Sequence, residues 1–282
     1  ERHPLEPLLN EVQRSFGEIH VRLNQTDGRH FVDALVDSEP NRLDAAFRDA
    51  LYRQTGGHPL FTVELLHGLQ ARGDLVQNDA GEWVESPVLA WEIVPARVEG
   101  IIKERIGRLP PALQELLQVA SVAGESFGAE IVAQVLGRDE GQTVAHFGAQ
   151  LDRQHQLVSV QGSQPAGAGH LSFYRFRHIL FQQYLYNSLD AMQRTHLHRA
   201  MADALARRYG AHAQLIAPQL ARHYAIAGDR EQAVRYFTVA GDSAAALYAN
   251  TEAAAHYRRA LALAQEAGNG AGAQIGRLYL QL

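Results

Sequence analysis

Hydrophobic positions alternate along this chain between helical and strand periods. Leu5, Leu8, Leu9 and Val12 recur at i, i+3, i+4 and i+7, which predicts a helix stopped by Gly17. Ile19, Val21 and Leu23 then alternate with Glu18, His20 and Arg22, the period of a short strand whose partners must lie elsewhere. Residues 29–71 read as helices. Leu43, Ala46, Phe47, Ala50 and Leu51 form one stripe, Gly56-Gly57 ends it, and Pro59 opens a second helix whose buried stripe is Phe61, Leu65 and Leu69. Asp79-Ala80-Gly81 separates Leu75-Val76 from Trp83-Val84 and predicts a small hairpin.

The next 95 residues change character. A helix over 95–109 aligns Val98, Ile101, Ile102, Arg105 and Ile106, and Pro110-Pro111 starts another that carries Leu113, Leu116, Leu117 and Ala120. A helix capped by Ser126 is expected over 126–136, and a third over 142–155. Leu157 to Val160 then reads as a strand, 162–169 as a polar Gly-rich loop, 171–177 as a second strand and 178–189 as a closing helix. Three helices followed by strand, loop and strand is the order of a winged helix. From 191 onward the pattern is all helical. Ala233, Phe237 and Ala240 are echoed by Ala253, Tyr257 and Ala260, both as Ala-x3-aromatic-x2-Ala, and Leu220, Ala221 and Tyr224 precede them. Small residues that receive bulky ones from a neighbouring helix are the packing code of tetratricopeptide-like hairpins.

Composition narrows the chemistry. The sequence holds no cysteine, which excludes disulfides, thiolate nucleophiles, iron–sulfur clusters and Cys-ligated zinc. Its single lysine, Lys103, sits in IIKERI, so the chain has no phosphate-binding Gly-Lys-[Ser/Thr] loop. The net charge of −5 implies no polyanionic or polycationic partner. It divides unevenly, however: 16 basic and 25 acidic side chains in residues 1–190, 10 and 6 thereafter, which hints at a boundary near 190. No run approaches a membrane span and no signal peptide opens the chain. Its first residue is Glu1 rather than Met, as expected of a piece of a longer protein.

No catalytic constellation stands out. Fourteen histidines do not take metal-ligand spacing, since His196 and His198 fall on different helix faces and no His-Glu-x-x-His occurs, so no metal site is expected. The third helix and its flanks over 138–161 carry Arg138 and Arg153 against Asp139, Glu140 and Asp152, and the wing over 162–170 has no Lys or Arg. Phosphate contacts supply most DNA affinity, so direct nucleic-acid binding by this chain is not expected. Two stretches remain, Thr55-Gly56-Gly57-His58-Pro59-Leu60-Phe61 and Phe176-Arg177-His178-Ile179-Leu180-Phe181. Each has a plain structural reading, a glycine cap beside a helix-opening proline and a strand-to-helix junction.

Their spacing and the order of elements resemble the second half of STAND-class signalling NTPases, an AAA-related family with many bacterial regulators. TGGHPLFTVELL and FRHILFQQYLYNSL carry the likeness. The resemblance implies a mainly α fold in four parts: the last helix and strand of a nucleotide-binding domain over 1–28, a helical lid with a hairpin over 29–94, a winged helix over 95–190, and tetratricopeptide-like hairpins over 191–282. It implies ATP or ADP with Mg in the full protein. Gly57 and Pro59 match the Gly-x-Pro motif that sits against adenine, and His178 matches the histidine that reaches the β-phosphate of ADP. It further implies a cytoplasmic switch that forms a nucleotide-dependent oligomer, a protein partner or small-molecule inducer at the C-terminal helices, and an output in transcription or another effector. The phosphate loop would lie upstream, so neither ATP hydrolysis nor tight nucleotide binding is expected of this chain alone. The alternative reading is a non-enzymatic adaptor whose helical array binds a protein.

Overall fold

A computed structural model describes residues 28–86, 91, 96–167 and 169–266. The helix and strand expected over 5–23 lie outside these residues, as does everything after 266. The chain forms two compact units divided between Leu89 and Ala90.

The first unit holds helices α1 (Gly28–Val36), α2 (Ala45–Thr55) and α3 (Pro59–Arg72), then strands β1 (Leu75–Gln77) and β2 (Trp83–Glu85). Asp44 caps α2 by accepting from the Phe47 N–H, which satisfies one of the first-turn amides that a helix leaves orphaned. The strands pair antiparallel, with Leu75 opposite Glu85 and Gln77 opposite Trp83. The backbone at 40–42 extends this ribbon: the Trp83 N–H donates to Pro40 O and the Arg42 N–H to Trp83 O, each at 2.9 Å. Val32, Val36, Phe47, Leu51, Phe61, Leu65, Leu69 and Leu75 are buried, so the predicted stripe of α3 faces inward, while on α2 Phe47 and Leu51 do so but Ala46 is exposed and Ala50 half-buried. Leu43 is buried too, but it precedes the cap rather than belonging to the helix.

The second unit begins with α4 (Ala96–Gly107), α5 (Pro111–Ala123), β3 (Ser126–Gly128), α6 (Ala129–Leu136) and α7 (Glu140–Ala145). The last continues as a π-helix over His146–Gln154, with the His155 N–H reaching back to Gln150 O at 2.8 Å. Strands β4 (Val158–Ala166) and β5 (Gly169–Phe176) and helix α8 (Ile179–Asn187) complete the winged-helix order. The fold departs from two sequence expectations. Ser126 does not cap a helix: Ser126, Phe127 and Gly128 form an extended strand opposite Arg175, Tyr174 and Phe173, giving a sheet of order β3-β5-β4. The driving residue is Phe127, buried with its ring 5.0 Å from Phe147 and 5.4 Å from Phe176. The stretch 162–169 is not an open loop either. The strands stay paired out to Ala166 opposite Gly169, with a bulge between Val160 and Gly162 that leaves Gly162 at φ 125°. Glu130, in the first turn of α6, accepts from the Ser172 N–H and Oγ, both at 2.8 Å, and ties that helix to β5.

Helices α9 (Ala191–Tyr209), α10 (Ala217–Ile226), α11 (Arg230–Ala246) and α12 (Asn250–Glu266) follow, with a 3-10 turn at Gly210–Ile216. Asp190 opens α9 with a capping box through Gln193, and Asp229 caps α11 through the Gln232 N–H. Each helix packs on the next, and α9 also packs on α5 and α6, so the array and the winged helix share one compact unit. The predicted echo is a packing fact: Ala233, Phe237, Ala240, Ala253, Tyr257 and Ala260 are all buried. The echo extends to the turns. Gly228 (φ 73°) and Tyr248 (φ 60°), twenty residues apart, each occupy the left-handed position of a Schellman cap, with Asp229 N–H donating to Tyr224 O and Ala249 N–H to Ala244 O.

Candidate functional site

Gly57 and Pro59 belong to the first unit, at the junction of α2 and α3. Gly56 (φ 59°) and Gly57 (φ 70°) take consecutive left-handed conformations, which turn the chain back after α2. Two buried hydroxyls hold the turn. Thr55 Oγ1 donates to Leu51 O at 2.8 Å and accepts from the Gly57 N–H at 3.2 Å, and Thr62 Oγ1 lies 3.0 Å from it. A Cβ on Gly57 would lie 2.4 Å from Gly28 Cα, so only glycine lets the start of α1 approach this turn. Pro59 is the first residue of α3, where its missing N–H costs no hydrogen bond, and it is half-buried. His58 is the extended cap residue before it, with its ring 4.6 Å from that of Phe61.

His178 stands at the corresponding place in the second unit. It is the extended residue that precedes α8, half-buried, and its side chain does not cap the helix. Its ring centre lies 6.0 Å from that of Phe181, whose N–H donates to His178 O. The two junctions share the pattern His-x-Leu-Phe, at 58–61 and 178–181, each with histidine at the cap and a buried phenylalanine three residues on. That repeated tetrapeptide was a sequence signal in its own right. Two arginines lie near the second junction. The Arg105 guanidinium sits 5.4 Å from the centre of the Phe181 ring and donates to His155 O at 2.8 Å. Burial, and then the nearby Arg177, lower the Arg105 pKa. Arg177 donates to Val158 O and to Asp152 Oδ1, which fixes the strand end just before His178. A half-buried imidazole at a helix start, with arginines beside it, has the chemistry to meet an anion.

A third cluster was missed by spacing rules alone. His198 of α9 and His223 of α10 are both fully buried, with their Nδ1 atoms 2.8 Å apart. The Tyr186 hydroxyl of α8 is 3.0 Å from His198 Nε2. Burial dominates the electrostatics, pushing His198 down to about 4, with Arg222 and Arg194 adding to it. It pushes His223 down to about 3, helped by His198 and Arg222. The signal that finds them is helical phase rather than ligand spacing. His198 shares a stripe with Met201, Ala202 and Leu205, and His223 one with Leu220 and Tyr224. Among the described residues, no three His, Asp or Glu side chains converge as a metal site. No described helix is long and apolar enough to cross a membrane.

No family model matches this chain, and no solved structure matches it. Over 218 residues it is 28% identical to an uncharacterized protein of Rhizobium meliloti (strain 1021), a match that covers 76% of this chain. The chain spans about a fifth of the length of that relative, with 20% of it covered.

Proposed function

We propose that this chain is the regulatory segment of a STAND-like, nucleotide-dependent signalling switch. The observation that carries the reading is the order of parts. A helical unit with its Gly57-His58-Pro59 helix start is followed by a winged helix whose closing helix opens at His178, and then by packed helical hairpins. The match to one fifth of a much longer protein is in keeping with a segment that works beside other domains. In this reading Gly57 and Pro59 wall the adenine, because a rigid apolar ring covers a base without losing conformational freedom, and His178 donates to the β-phosphate of ADP. The nucleotide supplies the charge that the His178 junction meets. The phosphate loop, Mg ligands and any hydrolysis belong to sequence other than this, which has no Gly-Lys-[Ser/Thr].

The ADP-bound state holds the winged helix in place. Exchange to ATP, prompted by a protein or small-molecule inducer at the helices after 190, releases it for assembly and for control of transcription or another effector in the cytoplasm. A contact present in one state alone shifts the balance by its own energy. One charge-assisted hydrogen bond is worth about 1.5–3 kcal/mol, a tenfold or larger shift. His178→Ala in the full-length protein should therefore lower the ADP retained through purification and raise basal signalling while leaving the fold intact. A folded variant that keeps as much ADP as wild type removes His178 from the switch. One observation favours the adaptor reading instead. Leu215, Leu247 and Tyr248 are 73%, 79% and 89% exposed at the turns of the array, which suits a protein-binding surface. A full-length protein that never carries nucleotide would decide for it.

A further inference from the structure

Three helices of the second unit meet on the Tyr186–His198–His223 chain, and the proton count of that chain is constrained by geometry. At 2.8 Å the two Nδ1 atoms share one hydrogen, so one ring donates and the other accepts. If Tyr186 donates to His198 Nε2, then His198 Nδ1–H donates to His223 Nδ1 and the remaining proton sits on His223 Nε2. In the reverse direction, His223 Nδ1–H donates to His198 and His198 Nε2–H donates to the tyrosine oxygen. Both arrangements place one proton on each ring. One further proton keeps these hydrogen bonds, with His198 Nε2–H donating to the tyrosine oxygen, but it puts a positive charge on two fully buried rings, and a second sets N–H against N–H at the shared contact. His223 Nε2 has no hydrogen-bond partner among the described residues that could accept one.

The surroundings give an added proton no counter-charge. On α9 the nearby charge is Arg194, whose guanidinium lies 4.9 Å from the centre of the Tyr186 ring, and on α10 it is Arg222. The carboxylates of the packed elements face other groups or solvent: Asp203 accepts from Tyr224, Asp242 from Tyr257 and Glu130 from Ser172, Asp229 pairs with Arg199 and Glu115 with Arg138, and Glu231 is exposed. The α11 contribution is Tyr236, stacked on Tyr224, and His212 of the 3-10 turn is exposed.

We propose that this chain is an acid-sensitive latch. With both imidazoles neutral it joins the closing helix of the winged helix to the first two helices of the array, and protonation, which puts charge on fully buried rings, favours the opened state in which they reach water. The latch stands independently of the nucleotide reading. Below pH 6.5 the unfolded or opened segment binds more protons than the closed one, so closure weakens as the pH falls. From pH 7.5 to 5.5 the opening constant should rise about tenfold for one imidazole of reference pKa 6.5 and about a hundredfold for two. The test is hydrogen exchange of the 282-residue chain at those two pH values, corrected for intrinsic rates and read over residues 191–226. Wild type should show the hundredfold change, and His198→Gln and His223→Leu singly about tenfold each. Where a variant does not fold, an imidazole carbon NMR titration of wild type decides, with two rings expected to stay neutral to below pH 5. Variants that lose protection equally at both pH values, or rings that titrate near 6.5, overturn the latch.

Discussion

Gly57→Ala isolates the packing reason for a residue that also belongs to the nucleotide motif. The perturbation has two parts. At φ 70° an added Cβ meets its own backbone, at roughly 1–2 kcal/mol for a left-handed L-residue. The new methyl would also lie 2.4–2.5 Å from three Gly28 backbone atoms, which cannot rotate away, so the start of α1 must move. Overpacking of that kind costs about 1–3 kcal/mol more. Gly73 is the internal control. It has φ 77° at the end of α3 with nothing within 4 Å of its Cβ position, so Gly73→Ala should cost only the conformational part. Denaturant unfolding followed by Trp83 fluorescence, in a Trp91→Phe background, reports on the first unit. Gly57→Ala should be less stable than Gly73→Ala by about 1–3 kcal/mol. Equal destabilisation within about 0.5 kcal/mol would refute the close approach of Gly28 to the α2–α3 turn.

Three further substitutions test the second unit. Tyr248→Gly relieves a left-handed tyrosine in a Schellman cap where the equivalent turn uses Gly228, so it should stabilise the chain by about 0.5–1 kcal/mol in thermal unfolding; a loss of stability would mean that the tyrosine ring is held. Glu130→Ala removes two hydrogen bonds from a nearly buried carboxylate and should cost about 2–4 kcal/mol, whereas Glu115→Ala breaks only an exposed pair with Arg138 and should cost under about 1 kcal/mol. Similar losses in the two variants would contradict that ordering.

What the sequence made legible follows from how local each signal is. The α11–α12 hairpin was readable because Ala233 and Phe237 repeat as Ala253 and Tyr257, one small-then-large spacing that both helices bury. The α2–α3 junction was readable as a turn because Gly56, Gly57 and Pro59 constrain the backbone directly, but the second demand on Gly57 was not, since Gly28 approaches it only in the folded unit. The strand at Ser126 was hidden because three residues carry no period, and it forms through pairing with Tyr174 and burial of Phe127. Likewise the wing over 162–169 looks like a loop in its polar, Gly-rich composition, while its order comes from a backbone ladder that composition does not encode. His198 and His223 lie twenty-five residues apart on different helices, and each alone reads as an ordinary helical histidine.

The nucleotide switch is tested most directly by hydrogen exchange of the full-length protein, loaded in turn with ADP and with a non-hydrolysable ATP analogue. The reading predicts that ADP slows exchange over residues 157–189, the strands of the wing and the helix opened by His178, and that the ATP analogue restores faster exchange there. Identical exchange in the two states, or a purified protein that retains neither nucleotide, would contradict it.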